Sequence, residues 1–108
     1  MTHPASQLDD IVHQRLRLGI LAILVEAQEA DFRFLREQLL VSEGNLSSHL
    51  RVLDEAGLVE IRKGFEGRRP RTWIRATDAG RASLDREVAA LRELVARLDA
   101  ANGGPPAS

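Results

Sequence analysis

Seven of the ten residues between Leu16 and Val25 are large and apolar, and this run limits the possible fold more than any other part of the chain. The pattern is helical over about residues 8–26. A helix that is apolar nearly all round must be buried nearly all round. Because a chain of 108 residues can bury only one modest core, we expect this first helix to pack on its own domain and on a partner subunit.

Two shorter helices should follow, over about residues 33–40 and from Ser42 to Ala56, after a short extended segment at residues 30–32. The Ser42 hydroxyl can accept a hydrogen bond from an amide in the first turn, so this residue is the expected N-cap. Gly57 stands where a left-handed residue commonly closes a helix. The expected inward side chains of the third helix are Leu46, Leu50 and Leu53.

A hairpin should come next, with strands over residues 58–64 and 71–76 and a solvent loop over residues 65–70. The net charge of the chain is −1, yet residues 62–75 contain six cationic side chains and one acidic side chain. The local field matters more than the sum for binding a polyanion. Arg68 and Arg69, at the expected loop tip, have the strongest case for phosphate contact, since planar guanidinium matches phosphate oxygens.

A long final helix, residues 78–101 with Thr77 as its cap, carries an apolar heptad seam. At roughly 1.5–3 kcal/mol for each buried aliphatic side chain, a stripe of five is too costly to leave in water. We expect this helix to hold a homodimer together with the first helix. The expected interface residues are Leu16, Ile20, Ile23, Leu84, Val88, Leu91, Val95 and Leu98.

These elements predict one domain over residues 8–101, a flexible start at residues 1–7 and a disordered tail at residues 102–108. The fold class is α+β, mainly α. The chain has no cysteine, its three histidines have no metal-ligand spacing, and no nucleophile-and-base set is present, so we expect neither enzyme activity nor a metal or other cofactor. No apolar stretch approaches the ~18 residues of a membrane span, and no export leader stands at the start. A cytoplasmic location is the expectation.

Three segments carry a family resemblance: residues 46–59, residues 64–80 and residues 13–24. They resemble the recognition helix, the wing and the first helix of MarR-like and ArsR-like repressors, in the compact single-domain form found in bacteria and archaea. The resemblance implies a winged helix-turn-helix of order α-β-α-α-β-β-α. It also implies a homodimer on a pseudo-palindromic operator of double-stranded DNA, with repression as the expected mode. Such regulators often respond to a small-molecule effector, but no residue here identifies one.

On this reading the third helix enters the major groove, which is ~12 Å wide and takes a helix. The expected contacts from this helix are Ser42, Gly44, Asn45, Ser47, Ser48 and Arg51. The expected wing contacts, to phosphates or the minor groove, are Arg62, Lys63, Arg68, Arg69 and Arg71. His49 should be mainly structural, and Trp73 should point away from the core.

The alternative is a winged helix that binds only a protein partner and has no specific DNA site. The charged wing argues against this alternative, because an interaction module does not need six cations in fourteen residues. DNA binding that weakens steeply with salt would distinguish the two.

Overall fold

The computed structural model describes residues 3–12 and 14–103, so His13 and the last five residues of the predicted tail lie outside the described residues. A 3-10 helix, Pro4–Gln7, comes first. The elements that follow are α1 Arg15–Ala27, β1 Glu29–Asp31, α2 Phe32–Leu39, α3 Glu43–Glu55, β2 Val59–Glu66, β3 Arg69–Ala76 and α4 Asp78–Ala101. This order confirms the predicted winged helix-turn-helix.

The first helix begins at Arg15 and not near residue 8 as predicted. The Asp9 carboxylate accepts hydrogen bonds from the backbone N–H groups of Ile11 and Val12, at 2.8 and 3.1 Å, and so forms a turn in place of helix. Residues 4–7, within the start that is predicted to be flexible, form the 3-10 helix. Pro4 is buried, and the 3-10 helix packs against α4.

The three strands form an antiparallel sheet of order β1-β3-β2. Ile74 in the central strand lies opposite Ala30 on one side and Ile61 on the other. Ala30 and Ile74 are buried, and Ile61 packs against the core from a half-buried position. This inner face of the sheet therefore closes the core formed by the helices, as the alternation of the sequence predicts.

The hairpin is longer than the sequence predicts, because residues expected in the loop continue the strands. Glu66 pairs with Arg69, which leaves a two-residue turn of Gly67 and Arg68. Gly67 has a φ of 62°, the left-handed value that a type II′ turn requires at its first central position. Pro70 is tolerated in β3 because it lies opposite Phe65, one pair beyond the turn, where cross-strand hydrogen bonds are not made.

Helix α4 divides into two halves with different surroundings. Its first half is packed on the domain, with Gly80, Leu84 and Ala90 among its buried residues. None of residues 91–101 is buried. The start of α4 is fixed to the end of α3: the Thr77 N–H donates to the Leu58 carbonyl at 3.0 Å, and the Thr77 hydroxyl donates to the Gly57 carbonyl at 2.7 Å.

Candidate nucleic-acid interface

Helix α3 presents a polar face because its leucines are used by the core. Leu46, Leu50 and Leu53 are buried, which orients the opposite side of the helix to solvent. The Ser42 hydroxyl accepts a hydrogen bond from the Asn45 N–H at 3.1 Å, as predicted for the N-cap. Ser42 is also predicted to touch DNA, and its side chain is exposed.

The other five residues predicted for this face are exposed: Gly44, Asn45, Ser47, Ser48 and Arg51. A Cβ built on Gly44 would meet no atom within 4 Å, so the backbone is accessible there. His49 is half-buried on the same helix. Burial and the neighbouring Arg17 guanidinium lower the pKa of His49, which favours the neutral imidazole and agrees with a structural role.

A groove separates α3 from the inner face of the sheet. Ser47, Arg51 and Asp54 line it on the helix side, and Ile61, Lys63 and Thr72 line it on the strand side. Lys63 lies opposite Thr72 in the register, so both belong to the face of the wing that is turned towards α3. The exposed face of α3 and this face of the wing thus border one surface.

The outer face of the sheet carries a network of ion pairs. The Arg75 Nε donates to a Glu60 carboxylate oxygen at 2.7 Å, and this hydrogen bond raises the pKa of Arg75. Arg71 pairs with Asp31 on β1 and with Glu66 near the turn. The Arg71 guanidinium also lies 4.7 Å from the centroid of the Trp73 ring, a cation–π distance.

Arg62 belongs to the same outer face, since it lies opposite Trp73 and approaches Glu29 at 3.7 Å. Arg62 and Arg71, both predicted to contact DNA, therefore have acidic partners within the chain. Trp73 does point away from the core, as predicted. The pairs with β1 could not be predicted, because its acidic residues lie more than thirty positions before their partners.

Three wing cations have no ion pair among the described residues: Lys63, Arg68 and Arg69. Arg68 is in the turn and Arg69 follows it, so both stand at the tip of the wing as predicted. The tip also holds Phe65, whose side chain is 75% exposed. Sequence reasoning missed Phe65, because a single aromatic residue in an expected loop carries no periodic signal.

Residues 16–95 match the winged helix DNA-binding domain family. The chain belongs to this family. The family is described as a DNA-binding domain and not as an enzyme, which agrees with the prediction against catalysis.

Two similar proteins come from archaea. The winged helix domain is 32% identical over 89 residues to an uncharacterized protein of Methanocaldococcus jannaschii, covering 82% of this chain and 97% of that protein. It is 33% identical to the solved structure of a transcriptional regulator homologue from Pyrococcus horikoshii, with a TM-score of 0.84 over 92% of this chain and 99% of that one.

A third similar protein shares the fold alone. This is the M. tuberculosis transcriptional regulator MOSR, solved in complex with DNA. It is 24% identical to this chain, with a TM-score of 0.69 over 94% of this chain and 72% of that one.

The winged helix domain also exposes apolar surface on α4, outside the wing. Val95 and Leu98, in the second half of α4, are each 55% exposed, and Leu91 and Leu94 beside them are half-buried. Three other predicted interface residues, Leu16, Ile23 and Val88, are half-buried.

Two residues of the predicted interface are assigned differently by the structure. Ile20 has no exposed surface and Leu84 is buried, so both belong to the core of their own chain. The first residue of the heptad seam, Leu84, therefore belongs to the core, and its last two residues, Val95 and Leu98, lie on an exposed surface. No helix of the described residues is long and apolar enough to cross a membrane.

Proposed function

We propose that this protein is a homodimeric transcriptional regulator that binds an inverted repeat in double-stranded DNA. The observation that carries the proposal is the common surface formed by the exposed polar face of α3 and the inner face of the wing, with Asn45 and Arg51 on the helix and Lys63 on the strand. An amide can pair with adenine and a guanidinium with guanine, and small serines allow close approach. The wing cations then hold the phosphates beside the groove.

Similar proteins support this assignment. The Pyrococcus horikoshii protein, which matches nearly end to end, is described as a transcriptional regulator homologue. MOSR, which has the same fold, was solved in complex with DNA. We expect repression as the mode of regulation and leave the effector, if there is one, to be found by ligand screening.

The proposed dimer rests on four exposed or half-buried apolar side chains of α4. Apolar side chains at Leu91, Leu94, Val95 and Leu98 lie at heptad spacings on a half-helix that contributes no buried residue to its own domain. Association of two such helices would remove these side chains from water at a gain of roughly 25 cal/mol for each Å² of apolar surface. Half-buried Leu16 of α1 adds to the surface available to the partner, whereas Ile23 packs partly against its own core.

The dimer is tested by light scattering. Leu98→Asp should convert a particle of twice 11.9 kDa into a single chain, because it places a charge in the interface without touching the core. Phe34→Asp is the matched control, since Phe34 is 43% exposed on α2 and lies outside the proposed interface. A wild-type protein that scatters as a single chain at micromolar concentration would contradict the dimer, and so would an unchanged mass for Leu98→Asp.

DNA recognition is tested by selecting bound duplexes from a random pool and then titrating variants against the selected and a scrambled duplex at several salt concentrations. Asn45→Ala and Arg51→Ala should cost ~1–3 kcal/mol on the selected duplex and relax preference at one position of each half-site. Arg69→Ala should weaken both duplexes alike and lower the salt slope by ~0.9 for one lost phosphate contact.

The same titration separates DNA binding from the alternative of a protein interaction module. Half of the wing cations, Arg62, Arg71 and Arg75, are paired within the chain, so the charge argument rests on the other three. If wild type binds no duplex above the level of an uncharged control protein, the proposed function is wrong. The half-sites should lie about one helical turn apart, ~34 Å, and tandem direct repeats in a footprint would contradict the two-fold arrangement.

A further inference from the structure

Phe65 lies near the tip of the wing, where its exposed side chain adds little to the stability of the fold. It lies on β2 two residues beyond Lys63, so by the alternation of a strand it belongs to the inner face, the one that borders α3. Its cross-strand neighbour is Pro70, and the next pair on that face is Lys63 with Thr72. Phe65 and Pro70 therefore continue the groove-lining face outward to the tip of the wing.

The surroundings of Phe65 indicate what it would contact. The side chain is 75% exposed, whereas Trp73, the other aromatic residue of the hairpin, is half-buried under Arg71. The cations near the tip are Lys63, Arg68 and Arg69, and none of them has an ion pair among the described residues. Lys63 lies on the same face as Phe65, Arg68 is in the turn, and Arg69, opposite Glu66, lies on the outer face, so cations stand on both sides of the tip. An exposed ring with cations on both sides matches a surface that is apolar in the middle and anionic at both edges.

The floor of a DNA minor groove, with its sugars and base edges between two rows of phosphates, has this distribution. We propose that Phe65, supported by Pro70, packs into the minor groove and opens a base step, while the neighbouring cations bind the flanking phosphates. Proteins that bind the minor groove commonly insert Phe or Pro between bases and bend the duplex towards the major groove. The inference rests on the proposed DNA-binding function and adds that the wing deforms DNA.

The test compares Phe65→Ala and Phe65→Leu with wild type, using the duplex selected from the random pool and labelled at both ends for energy transfer. Phe34→Ala is the matched control, because it removes an exposed phenyl group from α2 and leaves the wing intact. Circular dichroism should show all three variants folded, since both phenylalanines are exposed.

We expect Phe65→Ala to weaken binding about tenfold, the effect of losing the burial of one large apolar side chain. The salt slope should not change, because no counterion is released by an uncharged residue. The bend reported by energy transfer should be lost in Phe65→Ala and largely kept in Phe65→Leu. Arg69→Ala should show the opposite pattern, with a lower salt slope and a retained bend.

If Phe65→Ala binds and bends the duplex as wild type does while Arg69→Ala loses affinity, the proposed insertion of Phe65 is wrong and the proposed function stands. If wild type binds no duplex, the proposed function fails as well. A smaller light-scattering mass for Phe65→Ala would place Phe65 in a contact between copies of the chain, which would also overturn the inference.

Discussion

Replacement of Gly80 by alanine should strongly destabilise the domain, although alanine is the better helix former. A Cβ at this position in the first turn of α4 would lie 2.0 Å from the Leu58 carbonyl oxygen and 3.0 Å from its carbonyl carbon. That carbonyl cannot easily move away, because it accepts the Thr77 N–H at 3.0 Å. The Thr77 hydroxyl also holds the adjacent Gly57 carbonyl at 2.7 Å.

The size of the effect follows from these contacts. Carbon and oxygen atoms normally approach no closer than ~3.3 Å, so α4 or the start of β2 must shift by about an ångström. Overpacking of this kind costs about 1–3 kcal/mol, and the two junction hydrogen bonds are each worth about 1 kcal/mol. The higher helix propensity of alanine offsets about 1 kcal/mol of this destabilisation. We expect a net loss of about 2–4 kcal/mol, or a fall in Tm on the order of 10–20 °C.

The measurement is urea unfolding followed by circular dichroism, with all proteins at one concentration because a dimer's stability depends on it. Gly19→Ala is the matched control. Its Cβ would meet only the Leu39 Cδ2 atom, at 2.9 Å, which is the flexible end of a side chain. This control should stay within about 1 kcal/mol of wild type. A Gly80→Ala protein that unfolds at the wild-type urea concentration would refute the argument from the Leu58 carbonyl.

Three further outcomes are expected. Leu40→Gly should raise the free energy of unfolding by up to about 1 kcal/mol in urea titrations, because Leu40 is 90% exposed and has a left-handed backbone (φ 54°) that glycine adopts without strain. Arg71→Met should lower that free energy by about 1–3 kcal/mol, because it leaves the Asp31 carboxylate without its guanidinium partner. Arg69→Met should change the free energy of unfolding by less than about 0.5 kcal/mol, and equal losses in the two variants would contradict the division between paired and unpaired wing cations. Burial, with Arg17, lowers the folded-state pKa of His49 below 6.5, so protonation destabilises the folded state; this penalty is absent above pH 6.5 and grows as the pH falls through the folded-state value. Unfolding curves at pH 7.5 and 5.5 should therefore show a larger loss for wild type than for His49→Gln.

The sequence predicts best those features that depend on neighbouring residues. The start of α3 could be placed because Ser42 and the Asn45 amide form the cap within four residues. The hairpin was predicted too short, since glycine and proline usually mark loops. Pro70 is an exception for a tertiary reason: its missing N–H falls at a position where neither neighbouring strand needs it.

Features that depend on distant residues could not be placed. Whether Ile20 and Leu84 serve the core or a partner is decided by the packing of α1 against α4, not by their spacing in either helix. Likewise, the sequence around Arg71 does not predict its ion pair, because its partner Asp31 lies forty positions earlier in the chain and is brought close only by the pairing of β1 with β3. A count of charge along the sequence therefore does not show which wing cations are paired with acidic residues of the same chain.

The division of α4 into two halves has a consequence for how such a protein can diversify. Changes before residue 91 alter residues on which the fold depends, such as Leu84 and Ala90. Changes after that point alter only exposed or half-exposed positions. The two halves can therefore accumulate substitutions under separate selection. In the proposed dimer, substitutions in the outer half after a gene duplication would change which copies associate, while the winged helix domain is inherited intact.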